Sequence, residues 1–176
     1  INEILIHSES KAVIVGKLDN YEAQRTGIPN IPKIGVSLYG VDEAYTWEDI
    51  VKTATDFQPF EQHPEDLITI MYTSGTTGNP KGVVLQQKNL LIDAHCIAEW
   101  YGFTPDMRAL NVLPIHHVNG MVVTLLTPLY YGGSVVLSRK FSASRFWQTA
   151  AAENCVWGSV VPTVLNFLCE AKANNG

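Results

Sequence analysis

Residues 73–82 bring together the side chains best suited to holding a polyphosphate. This run of ten contains four hydroxyl residues, three glycines and one lysine. Glycine lets the backbone approach a ligand closely and turn its N–H groups towards phosphate oxygens, hydroxyls donate hydrogen bonds, and Lys81 adds a full positive charge. Hydrogen bonds to charged groups are worth roughly 1.5–3 kcal/mol each, so three or four of them would hold a triphosphate. The same residue types also build surface turns, and composition alone leaves both interpretations open.

The order of residues separates this run from the P-loop. In a P-loop a second glycine precedes the lysine, and a serine or threonine follows it. Here Pro80 precedes Lys81 and Gly82 follows it. The order therefore disfavours a P-loop NTPase.

Residues 72–83 instead resemble, without a gap, the phosphate-binding signature of the adenylate-forming enzymes, Tyr/Phe-Thr-Ser-Gly-Thr/Ser-Thr-Gly-x-Pro-Lys-Gly-Val. This superfamily includes acyl- and aryl-CoA ligases, adenylation domains of peptide synthetases and firefly-type luciferases. The resemblance implies that the loop binds ATP and that Thr73 lies near the α-phosphate and Mg²⁺. The residues implied to hold the β- and γ-phosphates are Ser74, Gly75, Thr76, Thr77, Gly78 and Lys81.

A second segment, residues 113–117, resembles the family's Leu-Pro-x-x-His segment and ends in two histidines. In the family this histidine lies where the adenylation and thioester sites meet. A single histidine is more often structural, but the sequence context favours a site role for His117, and we expect His116 to be a structural neighbour. By the same resemblance a helix beside the acyl pocket would begin with Asn119, Gly120 and Met121. Plain core packing explains Met121 equally well.

The resemblance implies a two-step reaction that uses ATP, Mg²⁺ and coenzyme A. A carboxylate attacks the α-phosphorus of ATP, pyrophosphate leaves, and the acyl group then passes from AMP to a thiol. Lys81 and His117 would be the catalytic residues, because catalysis of this kind is mostly positioning and charge neutralisation. The residues around His117 look most like those of acyl-CoA ligases, and we expect a fatty acid as the carboxylate. An adenylation domain or acyl-AMP ligase that loads a carrier protein, and a non-catalytic nucleotide-binding module, remain alternatives.

Three later signatures of the family do not occur in the 176 residues. They are a Tyr-Gly-x-Thr-Glu segment whose glutamate holds Mg²⁺, an aspartate that binds the ribose, and a lysine in a small C-terminal domain. The sequence also opens on Ile1 rather than methionine. We therefore interpret the chain as a piece of a longer parent, and expect it to be unable to complete adenylation alone.

The composition predicts a globular protein that does not bind nucleic acid. Apolar residues make up 46% and charged residues 16% of the chain, which allows a core without disulfides or structural metals. The net charge of -5 argues against nucleic acid as a partner. Three widely spaced cysteines fit a reducing cytoplasm. The most apolar stretch, residues 121–137, is interrupted by threonine, proline and glycine, so we expect a buried segment and no transmembrane helix.

The elements that must position these loops alternate between strands and helices. Strands are predicted over residues 12–16, 33–39, 67–73, 82–86, 109–113, 134–137 and 156–161. Helices are predicted to begin at Thr46, Asn89, Gly120, Ser142 and Pro162. The second is predicted to end at Gly102 and Pro105, and the fourth to bury Ala143, Phe146, Trp147 and Ala150. The alternation predicts an α/β fold with a mostly parallel sheet flanked by helices, as the resemblance implies for part of a large N-terminal domain.

A proline-rich boundary near residues 55–65 suggests two subdomains. Residues 1–60 would end a preceding α/β subdomain, and residues 61–176 would carry the phosphate loop. An exposed edge of such a partial sheet favours self-association, so we expect a homo-oligomer to be accessible to the chain.

Overall fold

The computed structural model describes residues 1–53, 58–73 and 80–171. Its strands are short, largely parallel and connected by helices, which confirms the predicted α/β class. The chain divides into two compact units. The first consists of residues 1–62 and 72–83, and the second of residues 63–71 and 84–176.

The first unit is built on a three-stranded parallel sheet. Its strands, in spatial order, are β1 (Val13–Val15), β2 (Lys33–Gly35) and β3 (Tyr45–Thr46). Around them lie α1 (Asn2–His7), α2 (Tyr21–Arg25), a 3-10 turn (Ser37–Tyr39) and α3 (Trp47–Thr53). The apolar core of this unit consists of Val15, Tyr21, Ile28 and Val41.

Side-chain bonds to the backbone decide where two elements of this unit begin and end. Thr46 caps α3 as predicted, because its Oγ1 accepts the Asp49 N–H at 3.2 Å. Strand β2 ends at Gly35, short of the predicted residue 39. The reason is that the N–H groups of residues 37 and 38 donate to the carboxylate of Glu48, both at 3.1 Å, and are thus taken from any strand partner.

A charged cluster connects α2 to the segment before β3. Arg25 Nε donates to Glu43 Oε1 at 2.7 Å, and the buried Tyr21 hydroxyl donates to the same carboxylate. The hydrogen bonds from Arg25 and Tyr21 lower the pKa of Glu43 below its ordinary value of 4.5.

Strands β4 (Leu67–Thr73) and β5 (Lys81–Gln86) form a two-stranded sheet. Both strands were predicted from the sequence, and β5 begins one residue earlier than expected. Residues 74–79, which connect them, lie outside the described part of the chain.

The second unit is centred on a pair of parallel strands, β6 (Arg108–Asn111) and β7 (Ser134–Leu137). β6 is the most deeply buried strand, because Ala109, Leu110 and Asn111 are at most 2% exposed. The chain between the two strands forms a π-helix (Asn119–Leu126) that continues directly into α5 (Thr127–Tyr130). The other helices are α4 (Gln87–Tyr101), α6 (Ala143–Ala152) and α7 (Pro162–Glu170).

The predicted start of α4 is wrong, whereas its predicted end is confirmed. Helix α4 begins at Gln87, because the Gln86 N–H donates to Asn89 Oδ1 at 2.8 Å in a reciprocal capping box. Asn89 is therefore the third residue of the helix rather than its cap. The predicted end at Gly102 is confirmed by a left-handed φ of 64°.

The strand predicted over residues 156–161 is a single bridge between Trp157 and Ala109. Val156 N–H donates to the Arg108 carbonyl and Leu110 N–H donates to the Trp157 carbonyl, both at 2.9 Å. No further pairing with β6 follows this bridge in the described residues before Val161, the N-cap of α7.

The predicted start of α6 after Ser142 is confirmed, although the Ser142 side chain makes no cap bond. The predicted buried face of this helix is wrong at Trp147, which is 54% exposed and packs edge-on against Phe146. Among the described residues, every helix falls short of the length and apolar character that a membrane crossing requires.

Candidate functional site

The predicted phosphate loop begins where β4 ends and finishes where β5 begins. Thr73 is the last residue of β4 and Lys81 the first of β5, and both are exposed. The remaining predicted phosphate ligands lie outside the described residues, namely Ser74, Gly75, Thr76, Thr77 and Gly78. The roles assigned to all these residues stay predictions.

The strand end that leads into this loop is held by helix α1. His7 Nδ1 lies 2.7 Å from the Tyr72 hydroxyl, and the two rings meet edge-on with centroids 5.7 Å apart. Together with Pro80, they border a cavity of about 220 Å³. Sequence reasoning missed His7, because 65 positions separate it from Tyr72 and no local pattern connects them.

The two histidines lie on a loop that follows β6, which we call the histidine loop (residues 112–118). The side chains of His116 and His117 are exposed, and their ring centroids are 4.3 Å apart. Both the N–H and the carbonyl of His117 make hydrogen bonds. Its N–H donates to the Pro114 carbonyl at 3.1 Å, and its carbonyl accepts the Met121 N–H at 2.9 Å. The loop thus leaves both imidazoles exposed, and the backbone of His117 is fixed by two hydrogen bonds.

The segment after the histidine loop is a π-helix, a rare form that occurs frequently at functional sites. Its wider turns let a threonine side chain donate to the carbonyl five residues before it. Thr124 Oγ1 donates to the Asn119 carbonyl at 2.9 Å, and Thr127 Oγ1 to the Val122 carbonyl at 2.9 Å. The predicted substrate residues 119–121 therefore occupy the first turn of this wide helix.

Asn111, at the end of β6, connects the strand to both the loop and the helix. Its Oδ1 accepts the Leu113 N–H at 3.0 Å, and its Nδ2 donates to the Gly120 carbonyl at 2.8 Å. The residue is completely buried. Sequence reasoning missed this role because Asn111 was assigned to a plain core strand.

The glycine at position 120 is required by close packing. A Cβ at Gly120 would lie 2.2 Å from the Pro114 carbonyl oxygen, a distance that a side chain cannot adopt. Gly120 thus allows the start of the π-helix to contact the histidine loop directly.

Asn119 carries a polar atom that lacks a partner. Its Oδ1 is buried, and no donor among the described residues lies within hydrogen-bonding distance of it. Buried polar atoms are nearly always hydrogen-bonded, so this oxygen is a candidate acceptor for an N–H or O–H of a ligand or a water molecule. Met121, next to Gly120, is half-buried, which fits either a pocket wall or plain core.

An apolar cavity of about 420 Å³ lies beside the same helix within the second unit. Its walls are mostly aliphatic and include Leu85, Leu90, Ile92, Val118 and Val122. Val118 and Val122 flank the predicted substrate residues 119–121. The Tyr131 hydroxyl, at the end of α5, donates to Glu99 of α4, and this bond raises the pKa of Tyr131 to about 12.

The described residues include no cluster of three or more His, Cys, Asp or Glu side chains that would bind a metal ion. Mg²⁺ requires oxygen ligands and is commonly held by one or two protein oxygens together with substrate phosphates and water. The exposed hydroxyl of Thr73 fits that donor set. Thr73 and Lys81 belong to the first unit, and His117, Asn119, Gly120 and Met121 belong to the second.

Comparison with known proteins agrees with these motifs. The model of the family described as AMP-binding enzyme matches residues 1–175. The chain is 48% identical over 105 residues to sulfoacetate–CoA ligase from Cupriavidus necator, covering 60% of this chain and 21% of that protein. It is 32% identical over 179 residues to oxalate–CoA ligase from Arabidopsis thaliana, covering 97% of this chain and 34% of that protein.

The fold is similar to the solved structure of O-succinylbenzoate coenzyme A synthetase from Bacillus subtilis in complex with ATP and magnesium ion. The TM-score is 0.77 at 28% identity, over 96% of this chain and 33% of that one. The chain spans about a fifth to a third of the length of the curated relatives named above. Since the family model covers all but the last residue, the chain belongs to the family of AMP-binding enzymes.

Proposed function

We propose that this chain is part of an ATP-dependent carboxylate–CoA ligase. Such an enzyme joins a carboxylate to AMP with release of pyrophosphate and then transfers the acyl group to the thiol of coenzyme A. The observation that carries the proposal is the unbroken phosphate signature of residues 72–83 in a chain that belongs to this family. The names of the relatives, sulfoacetate–CoA and oxalate–CoA ligase, support coenzyme A rather than a carrier protein as the acceptor.

In this proposal the triphosphate of ATP is bound by the loop between β4 and β5. Lys81 supplies the positive charge that neutralises the β- and γ-phosphates, and the hydroxyls and N–H groups of residues 74–78 supply hydrogen bonds. Thr73 would contribute one oxygen to Mg²⁺. The exposure of Thr73 and Lys81 supports these roles, because both side chains are accessible to a ligand.

The histidine loop would act on the reacting carboxylate. The exposed imidazole of His117 would donate a hydrogen bond to the carboxylate or to an α-phosphate oxygen, where negative charge changes during the reaction. Asn119, Gly120 and Met121 would border the acyl group. The buried, unpartnered Oδ1 of Asn119 would accept a hydrogen bond from a water molecule beside the acyl group, because an acyl chain or a carboxylate carries no donor.

Two classes of carboxylate are supported by different observations. The aliphatic cavity beside the π-helix supports a fatty acid, as predicted from the sequence. The substrates named for the two relatives, sulfoacetate and oxalate, are small and doubly anionic, and they support a small polar acid as the second candidate. Initial rates with carboxylates of graded length and charge, at saturating ATP and CoA, distinguish the two.

The proposal is tested by carboxylate-dependent exchange of pyrophosphate into ATP and by CoA thioester formation in the full-length protein. We expect both activities, and we expect Lys81→Ala to abolish most of the exchange while Lys52→Ala, which changes another exposed lysine of the same unit, leaves it unchanged. Exchange without CoA thioester formation would favour a carrier-protein acceptor. Absence of exchange with every carboxylate would contradict the proposal.

Four further points stay predictions. Residues 1–176 alone should give no exchange above background. The subdomain division at residue 60, a cytoplasmic location and self-association are each open to direct measurement, by limited proteolysis, fractionation and light scattering.

A further inference from the structure

The completely buried polar side chains of the described chain all serve one helix. They are Asn111, Thr124 and Thr127, and each donates to a carbonyl of the π-helix. Leaving such a carbonyl buried without a donor would be costly. The start of the helix is bonded most heavily, because the Gly120 carbonyl accepts from Asn111 Nδ2 at 2.8 Å and from Thr124 Oγ1 at 3.2 Å.

Asn111 differs from the two threonines because it joins both ends of the histidine loop. Its Oδ1 holds the Leu113 N–H near the beginning of the loop, and its Nδ2 holds the Gly120 carbonyl just past the end. Its own backbone is fixed by the sheet, since Asn111 pairs with Leu137 and its carbonyl accepts the Ser138 N–H at 2.9 Å. A rigid strand thus sets the separation between the two ends of the loop.

We infer that Asn111, assisted by Thr124, is a positioning residue that fixes His117 for acyl activation. Its amide group holds the two ends of the loop together through hydrogen bonds to residues 113 and 120. The Met121 N–H, which donates to the His117 carbonyl, holds His117 itself against the start of the helix. Because Gly120 has no Cβ, the helix can pack directly against Pro114. Asn111 is buried beneath the loop and acts through it. The catalytic consequence rests on the proposed function, whereas the closure of the loop is a claim about structure alone.

The inference predicts a selective loss of turnover. A misplacement of about 1 Å can cost on the order of 100-fold in rate, so loosening the loop should lower kcat by about 10- to 100-fold. The KM for ATP should change less than about threefold, because the loss acts on positioning of the reacting groups rather than on ground-state binding.

The chain offers closely matched variants. Asn111→Asp keeps the shape and the acceptor for Leu113 but removes the donor to Gly120. Thr124→Val removes the second donor to the same carbonyl at nearly constant volume, and it carries the test if the aspartate variant fails to fold. Thr127→Val is the control: it is equally buried and lies at the end of the same helix, but it bonds to the Val122 carbonyl and not to the loop.

Two measurements on the full-length protein decide the matter. We expect Asn111→Asp and Thr124→Val to lower kcat as stated, with Thr127→Val within about threefold of wild type. We also expect amide hydrogen exchange at Met121 to accelerate in the first two variants and not in the third. Equal kcat losses in Thr124→Val and Thr127→Val, or wild-type kcat in Asn111→Asp, would overturn the inference.

The exchange measurement separates this inference from the proposed function. If the wild type shows no activity with any carboxylate, the proposed function fails. Faster Met121 exchange in Asn111→Asp and Thr124→Val would then still support the closure of the loop. Unchanged Met121 exchange in both would overturn it.

Discussion

Gly120→Ala adds a single methyl group at the tightest contact of the second unit. Its Cβ would lie 2.2 Å from the Pro114 carbonyl oxygen, 2.7 Å from the carbonyl carbon and 3.1 Å from the Leu113 oxygen. Carbon–oxygen contacts normally lie at about 3.3–3.6 Å, so the closest overlap is about 1 Å. The atoms in the way are backbone atoms, which cannot rotate aside as a side chain would.

The size of the effect follows from two opposing terms. Overpacking of this kind costs about 1–3 kcal/mol, and a backbone obstacle places the cost near the upper end. Replacing glycine by alanine inside a helix returns about 1 kcal/mol. We therefore expect Gly120→Ala to lower the free energy of unfolding by about 2 kcal/mol, or to displace the histidine loop and lower kcat instead.

Urea unfolding followed by tryptophan fluorescence measures this change, because Trp100, Trp147 and Trp157 all belong to the second unit. Gly102→Ala is the control. Nothing lies within 4 Å of its Cβ, and its φ of 64° alone should cost about 1 kcal/mol without loss of kcat. A Gly120→Ala protein with both wild-type stability and wild-type kcat would refute the reasoning.

Three further predictions concern charge and burial. Lys81→Ala should raise the KM for ATP by roughly 10- to 150-fold, which corresponds to the loss of one hydrogen bond to a charged group. The melting temperature should not change, because Lys81 is exposed. An unchanged KM would show that Lys81 does not bind ATP. Glu43→Gln should lower the urea midpoint of the first unit near neutral pH but not below the folded-state pKa of Glu43. Because Arg25 lowers the pKa of Glu43, the ionised carboxylate stabilises the folded state at pH values above the unfolded pKa of 4.5, and this stabilisation disappears as the pH falls through the folded-state pKa. A difference between variant and wild type that does not depend on pH would contradict this. Burial raises the pKa of the Cys155 thiol, so iodoacetamide should label Cys155 more slowly than the exposed Cys96 at mildly alkaline pH. Peptide mass spectrometry measures both labelling rates. Equal rates would show that the Cys155 thiol is accessible.

The sequence was most informative where local order determines chemistry. The phosphate signature of residues 72–83 is recognisable because each position has its own requirement, and the α/β class followed from the alternation of strands and helices. Thr46 and Gly102 were identified correctly as ends of helices, since a cap depends on residues within one turn.

Tertiary contacts explain what sequence reasoning missed. The sequence around Asn111 predicts an ordinary strand residue. Only the fold shows that its amide nitrogen lies 2.8 Å from the Gly120 carbonyl. His7 meets Tyr72 across 65 positions. The strand predicted at residues 156–161 has the right composition, but in the fold it makes only the bridge between Trp157 and Ala109. The π-helix was predicted as a helix, but a period of 3.6 gives no sign of wider turns.

The wide turns between Asn119 and Leu126 have a consequence for changes of length. A π-helix accommodates surplus residues that an ordinary helix of 3.6 residues per turn would not. Deleting one residue from this segment would let it tighten towards a regular α-helix, in which backbone bonds span four residues rather than five. The threonine bonds that now span five residues, from Thr124 to Asn119 and from Thr127 to Val122, would then have to form with other carbonyls. The number of residues in this segment is therefore as strictly constrained as their identity.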